Sequence, residues 1–556
     1  MADSRQRVII KVKIPRSLLS TLINEALEYL EDIIDRHEIS EEGVEGAIEY
    51  FAKEYNRQDD AQMKVSVQIL QRVYEAFQGG DGKSHGESDF LDPDEHLKFI
   101  NAHDMPLWNW SNEKGTFERQ GFCTPYDVGF CRFSYYGNAK PYEHYQADRA
   151  TERPFLSFHT AFARPSTKQL LGRAGHRFLL FGMLSHNKEG KLRLEDEEGS
   201  VELDFSQLDQ PSEGLFSEGC FALVEGDYTE DETLVVIAIG HPPCESRDSA
   251  RQIFGHIDFL GCGAATLQED AQLAARMQTD MPELRFFVLS NVWLDKPDTL
   301  LGLRKMLDNC VENSFIPKVI VLCGNFSSRG IAQGNATEIR RYQDNFDALA
   351  DLLASYPVVT RYAHVVLVPG PLDLTVNSVT PRKPLMSSFV SRLKSRIPNI
   401  HFGSNPCRIK FCDQEIVIFR EDLMARMLRN LVGVKPDVRN DDLKRYVGGS
   451  PSVESHRSLM LYGPKLVQSL LDQSHLAPLT YDIQPTLSDF DHALRLYPLP
   501  TAVVLADKYD RFQMTYEGCH VFNPGSFLGN AFGFSAYIPS RRDSEECVLG
   551  ADANED

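Results

Sequence analysis

Across 556 residues no two cysteines form a Cys-x-x-Cys pair. The nearest, Cys407 and Cys412, are five apart and have no second pair or histidine cluster downstream. A zinc module is therefore not expected, and the eleven scattered thiols read as small buried hydrophobes. Long apolar runs are also lacking. Stretches such as Val319 to Cys323 and Val365 to Val368 are strand-sized, far short of the roughly 20 residues that span a bilayer. The N-terminal stretch MADSRQRVIIKVKIP has neither the apolar core nor the small-residue cleavage site of a secretory signal. An intracellular protein with no membrane attachment is implied. Positive charge is scarce as well: 58 Lys and Arg against 80 Asp and Glu give a net charge of −22 and a pI near 5.2. That balance excludes an autonomous duplex-binding platform, whose affinity would come from Lys and Arg on phosphates.

What is present suffices for several domains. Residues 1–105 read as a small all-α domain. Its first stripe runs Leu18, Leu19, Leu22, Ile23, Leu27, Leu30, Ile33 and Ile34, a period of 3.6. A fourth helix is expected to carry Leu97, Phe99 and Ile100. The Gly-Lys-Ser at 82–84 follows a helical pattern rather than a strand, so it lacks the context of a phosphate loop. Residues 106–172 are rich in aromatics between Gly, Pro and Asn, which suggests an extended segment packed on other domains. The alternative is a stacking surface for a nucleic-acid single strand.

From 173 to 275 the period becomes two. Five runs, Phe178 to Leu184, Lys191 to Glu195, Val201 to Phe205, Phe221 to Glu225 and Leu234 to Ile239, predict an OB-fold β-barrel. Its loops are acidic, which favours a protein partner over nucleic acid. Residues 276–556 alternate strands and helices and predict a layered α/β domain, with functional loops at the carboxyl ends of the strands. A polar stretch at 434–458 reads as an insertion, and an acidic tail follows Arg542.

Each of those strand ends carries a short motif. In order they read Ser290-Asn291-Val292-Trp293, Gly324-Asn325-Phe326-Ser327-Ser328, Gly370-Pro371-Leu372-Asp373, the isolated His475, Ala506-Asp507-Lys508-Tyr509, and finally Asn523-Pro524-Gly525-Ser526. Their order resembles that of the calcineurin-like metallophosphoesterases, which use D-x-H, G-D-x-x-D, G-N-H-[DE], a single His and G-H-x-H, followed by N-P-G-S. Those enzymes hold two metals roughly 3.5–4 Å apart with carboxylates, an Asn oxygen and imidazoles. The resemblance implies that Asn291, Trp293, Asn325, Ser328, Pro371, Leu372, His475, Asp507 and Tyr509 stand at degenerate metal-site positions, leaving no catalytic residue, metal or cofactor. The resemblance keeps the isolated His as His475 and the Asp of the third motif as Asp373, neither of which alone holds a metal, and Lys508 would set a cation at the rim of the old site.

A degenerate phosphoesterase domain behind an OB fold is similar to the B subunits of the replicative DNA polymerases. Segments Phe286 to Asp295, Leu322 to Ser328, Phe402 to Ile409 and Val504 to Asp510 resemble the epsilon branch of that family. The resemblance implies a non-enzymatic nuclear scaffold in DNA replication. Its partners would be the catalytic subunit, through that subunit's metal-binding C-terminal domain, and the replicative helicase through GINS, reached by an N-terminal domain resembling an AAA+ lid. DNA would be met only within the complex. A divergent metal-dependent phosphoesterase and the B subunit of another replicative polymerase are the alternatives.

Overall fold

A computed structural model describes residues 91–111, 116–119, 166–208, 214–332, 334–376, 379–433, 462–529 and 531–549, together with residues 29, 67 and 71. The first helical stripe, the Gly-Lys-Ser at 82–84, most of the aromatic segment, the insertion and the last residues of the tail lie outside the described residues.

Three short strands come first: β1 (Leu97–Asn101), β2 (Trp108–Ser111) and β3 (Thr116–Arg119). The barrel follows with β4 (Arg177–His186), β5 (Leu192–Glu195), β6 (Ser200–Asp204), β7 (Phe221–Tyr228) and β8 (Thr233–Gly240). It closes in the order β4-β5-β6-β8-β7, and closure leaves no unpaired edge among these strands. Along β4 burial alternates, sending Phe178, Leu180 and Leu184 into a core shared with Leu194, Val201, Val224, Leu234 and Val236. The five strand expectations hold, each within a few residues of the observed bounds.

The α/β domain has four layers. Its first strands are β9 (Phe286–Leu289), β10 (Val319–Cys323), β11 (His364–Val368) and β12 (Ile400–Phe402). Next come β13 (Cys407–Phe411), β14 (Gln414–Phe419), β15 (Ala502–Leu505), β16 (Phe512–Tyr516) and β17 (Cys519–Asn523), and the last two are β18 (Gly533–Ile538) and β19 (Asp543–Val548). One sheet is ordered β12-β11-β10-β9-β18-β19 and the other β1-β13-β14-β15-β17-β16. Strands buried on both faces read as unbroken apolar runs, and the alternation within each run assigns the layers. Phe286, Val288, Val319, Val321 and Val366 meet Ile409, Ile416, Ile418 and Val504 between the sheets. Phe287, Leu289, Ile320, Leu322 and Leu367 turn outward onto the helices Pro297–Glu312 and Ala336–Ala354. Val417, Phe419, Val503 and Leu505 turn the other way, onto the helices Leu423–Arg429 and Tyr462–Asp472.

The barrel is joined to this sandwich by buried polar contacts. Gln473, just past the helix Tyr462–Asp472, accepts from the Phe221 N–H at 2.8 Å and donates to the Phe221 carbonyl at 2.7 Å. Its amide nitrogen also lies 3.0 Å from His241 Nδ1. Ser469 Oγ accepts from the Leu215 N–H, and Ser217 Oγ donates to the Pro478 carbonyl.

Three expectations need correction. Leu97, Phe99 and Ile100 lie on β1, not on a helix, because β1 pairs antiparallel with β13 from Leu97–Phe411 to Asn101–Cys407. The sheet edge supplies backbone partners that the local pattern could not reveal, so residues 97–101 belong with the α/β sandwich rather than with a helical domain reaching 105. Residues after Gly240 likewise leave the barrel: the helices Arg247–Phe254 and Leu267–Asp280 do not belong to it, and Met277 of the second packs between the α/β sheets. The run Leu385 to Arg396, which the strand–helix alternation predicts as the helix after Val365 to Val368, is helical only over Ser391–Arg396; Leu385, Phe389 and Val390 still reach the core from irregular backbone. Part of the aromatic segment does pack on the body. β2 and β3 form a hairpin whose Phe117 meets Phe254, Phe259 and Tyr497 edge-on or tilted at 5.2–5.5 Å.

Candidate functional site

The strands β9, β10 and β11 run parallel, as do β14, β15 and β17. Their carboxyl ends therefore gather at one edge of the sandwich. Two contacts tie the sheets together there: the Phe527 N–H donates to the Ser290 carbonyl at 2.9 Å, and Ser290 Oγ donates to the Ala506 carbonyl at 3.3 Å. The intact Asn523-Pro524-Gly525-Ser526 motif shapes this edge. The Asn523 amide donates to the carbonyls of Tyr509 and Asp510, and its oxygen accepts from the Gly525 N–H at 3.0 Å.

At the centre lies a side chain that the motifs did not name. Arg420 follows β14 directly and is fully buried. Its Nε donates to the Gly324 carbonyl at 2.5 Å, Nη2 to Asn291 Oδ1 at 2.7 Å and Nη1 to Asp422 Oδ1 at 2.8 Å. One guanidinium thus links the loops after β9, β10 and β14, and the fork geometry of arginine is what lets one cation serve three acceptors. Burial works against its charge, but Asp422, Asp507 and Glu421 outweigh that and hold the group above its ordinary value. Asn291 itself sits at φ +54°, a left-handed conformation that Asn tolerates better than most residues.

Beside it lies a second network. Asn325 is buried, and its Oδ1 accepts from the Leu372 N–H at 2.9 Å. Asp373 is also buried; it accepts from the N–H groups of Phe326 at 2.8 Å and Gly370 at 2.7 Å, and from the Tyr342 hydroxyl at 3.0 Å. Burial pushes its carboxyl up to about 6, despite these donors and Arg420. The glycines make this arrangement possible. A Cβ on Gly324 would stand 2.0 Å from Asp373 Oδ2 and 2.7 Å from the Gly370 nitrogen.

Asp507, after β15, accepts from the N–H groups of Met424 at 2.9 Å and Tyr509 at 3.0 Å. Burial, and then the like charge of Asp422, push it well above the usual carboxylate range. Asp422 is held low because Arg420 and Lys508 outweigh its own burial. The Lys508 ammonium is 3.5 Å from Asp422, so it does sit at the rim.

The remaining sequence-named positions go elsewhere. Ser328 donates to Asp295 through both its N–H and its hydroxyl, at 2.8 and 2.6 Å. Trp293 and Pro371 are half-buried at the rim, and Leu372 is exposed. Tyr509 is buried in the core behind the second sheet with Leu423, Met424 and Tyr462. His475 accepts from the Ala477 N–H and faces Asp491 at 3.3 Å, in the loop that precedes β15. Arg420, Asp422 and Tyr342 escaped sequence reasoning. The available signal was position: a charged run, Arg420-Glu421-Asp422, at the end of an apolar strand that lies parallel to β15. Among the described residues, no three His, Cys, Asp or Glu side chains gather as a metal-holding group, and no helix is long and apolar enough to cross a membrane.

Residues 286–514 match the family of DNA polymerase alpha/epsilon B subunits, and residues 143–243 match the OB-fold domain of the DNA polymerase epsilon subunit 2-like family. The chain is 36% identical to DNA polymerase epsilon subunit 2 of Homo sapiens over 371 residues, 67% of this chain and 65% of that protein. It is 34% identical to the DNA polymerase epsilon B subunit of Arabidopsis thaliana over 387 residues, 69% of this chain and 68% of that one. The corresponding B subunit of Schizosaccharomyces pombe is 34% identical over 399 residues, 70% of this chain and 65% of that protein. The matched region thus spans slightly under two thirds of the H. sapiens and S. pombe proteins.

Proposed function

The chain belongs to the family of DNA polymerase epsilon B subunits, and on that premise we propose that it is a non-catalytic accessory subunit of the polymerase epsilon complex in DNA replication. The observation that carries this reading is the buried Arg420. Where a metallophosphoesterase turns lone pairs toward two cations, this chain has a guanidinium, a donor only, which takes up the Gly324 carbonyl and Asn291 Oδ1. These residues do not fit a metal pair. We read Asn291, Trp293, Asn325, Ser328, Pro371, Leu372, His475, Asp507 and Tyr509 as degenerate site positions turned to structural use. A one-metal enzyme built on Asp373, His475 and Asp507 has little support, since each is engaged separately with neighbouring backbone or with Asp491.

What remains is a platform. The sandwich and barrel, fastened through Gln473 and Ser469, present one composite surface to the C-terminal domain of the catalytic subunit. The contact with GINS and the replicative helicase in the nucleus would fall to residues before 91. Direct single-strand binding by the barrel is disfavoured by charge. The parallel pairing of β6 with β8 brings the acidic turns at 196–198 and 230–232 to the same end, where phosphates would be repelled. Affinity purification of the chain from nuclear extract tests the reading. The expected result is stoichiometric recovery of a polymerase epsilon catalytic subunit, lost when that subunit's C-terminal domain is deleted. Recovery of the chain free of any polymerase would overturn it.

A further inference from the structure

We infer that Arg420 is a resident internal cation: its positive charge, not merely its volume, closes the loop cluster at the strand ends, where a metal would otherwise be needed to join them. The inference rests on the degenerate-site reading above, but its test does not depend on the presence or absence of turnover.

Three observations carry it. The side chain is completely buried, and a cation reaches such a place only when it is paired and hydrogen-bonded. Its partners come from three separate loops: Asn291 after β9, Gly324 after β10, and Asp422 two residues beyond Arg420 itself. The charges around it are mainly acidic, with Asp422, Asp507 and Glu421 all favouring the guanidinium. Glu421 has further arginine neighbours, with Arg382 at 2.7 Å and Arg426 at 3.1 Å, whereas among the described residues Asp422 pairs only with Lys508 and Arg420. The backbone of Arg420 is fixed as well, because Asn405 accepts from its N–H at 3.0 Å and donates to its carbonyl at 2.6 Å. The guanidinium is therefore aimed rather than free to swing away. A side chain of equal size without N–H donors would fill the space and leave the Gly324 carbonyl and Asn291 Oδ1 unsatisfied, and a neutral donor would satisfy those oxygens but leave the Asp422 carboxylate without its buried countercharge.

The test is rescue of Arg420→Ala in the full-length chain. The melting temperature is read with added guanidinium chloride, urea or sodium chloride at equal low-millimolar concentration. Guanidinium is expected to restore at least half of the lost melting temperature, while urea, its neutral analogue of the same shape, and sodium restore none. Equal rescue by urea, or no rescue by guanidinium, overturns the inference. Should Arg420→Ala give no soluble chain, Arg420→Lys and Arg420→Gln decide the matter. The charged variant is expected to melt well above the neutral one, and a Lys variant no more stable than the Gln variant overturns the inference in the same way. A metal-dependent phosphodiesterase activity of the unaltered chain would sink the proposed function and leave the rescue result standing.

Discussion

Replacing Gly324 by alanine should abolish the folded chain: no soluble protein, or protein destabilised by more than about 5 kcal/mol, the range reserved for core disruption. The added Cβ would stand 2.0 Å from Asp373 Oδ2 and 2.7 Å from the Gly370 nitrogen. Neither neighbour can yield. The Asp373 carboxylate is held by two backbone N–H groups and Tyr342, and the Gly370 N–H is one of those donors. On the other side, a Cβ on Gly370 would meet Asn325 Oδ1 at 2.4 Å. The two loops are thus packed backbone to backbone, and only glycine permits the approach. Urea unfolding followed by fluorescence measures the effect. A Gly324→Ala protein within about 1 kcal/mol of the parent, the ordinary cost of a tolerated substitution, would contradict the described packing.

The second large effect lies at the junction of barrel and sandwich. Gln473→Leu should cost about 4 kcal/mol, because it strands three buried polar partners at roughly 1–3 kcal/mol each. Those partners are the Phe221 N–H, the Phe221 carbonyl and His241. His241 cannot ease the loss by taking a charge. Its ring stacks on Phe216 at 4.0 Å, and burial holds its pKa down to about 4. The loss should appear as a lower urea midpoint and as chymotryptic cleavage at Phe216, Phe221 or Tyr228 under conditions that spare the parent. An unfolding free energy unchanged within about 1 kcal/mol would show that the apolar contacts at the junction suffice without Gln473.

The barrel strands and the parallel core were legible in the sequence because their patterns are local. A buried parallel strand such as Val319–Cys323 is one apolar run, and β4 alternates over ten residues. β1 was misread because Leu97, Phe99 and Ile100 suit either period, and the deciding information lay more than 300 residues away, in β13. The candidate site was half legible. Gly324, Asn325, Gly370 and Asp373 revealed themselves through their resemblance to a metal-binding pattern, although their use here is backbone capping and close approach. Arg420 did not: its place in a charged run after an apolar strand was the one local hint, and such a run does not separate a buried arginine from an exposed one. Its burial depends on loops donated by β9 and β10, over 90 residues earlier in the chain. His475 shows the reverse failure, a ligand-type residue in the expected order that folding assigns to Asp491.

We propose that this α/β sandwich has exchanged a metal site for a structural cation and acts as a platform rather than a hydrolase. It is tested most directly by hydrolysis of bis(p-nitrophenyl) phosphate by the purified full-length chain with millimolar manganese. The expected rate is that of buffer alone, and it should stay there when the metal is changed to magnesium, zinc or nickel. Turnover that rises with manganese and is abolished by Asp373→Asn or His475→Ala would contradict the account.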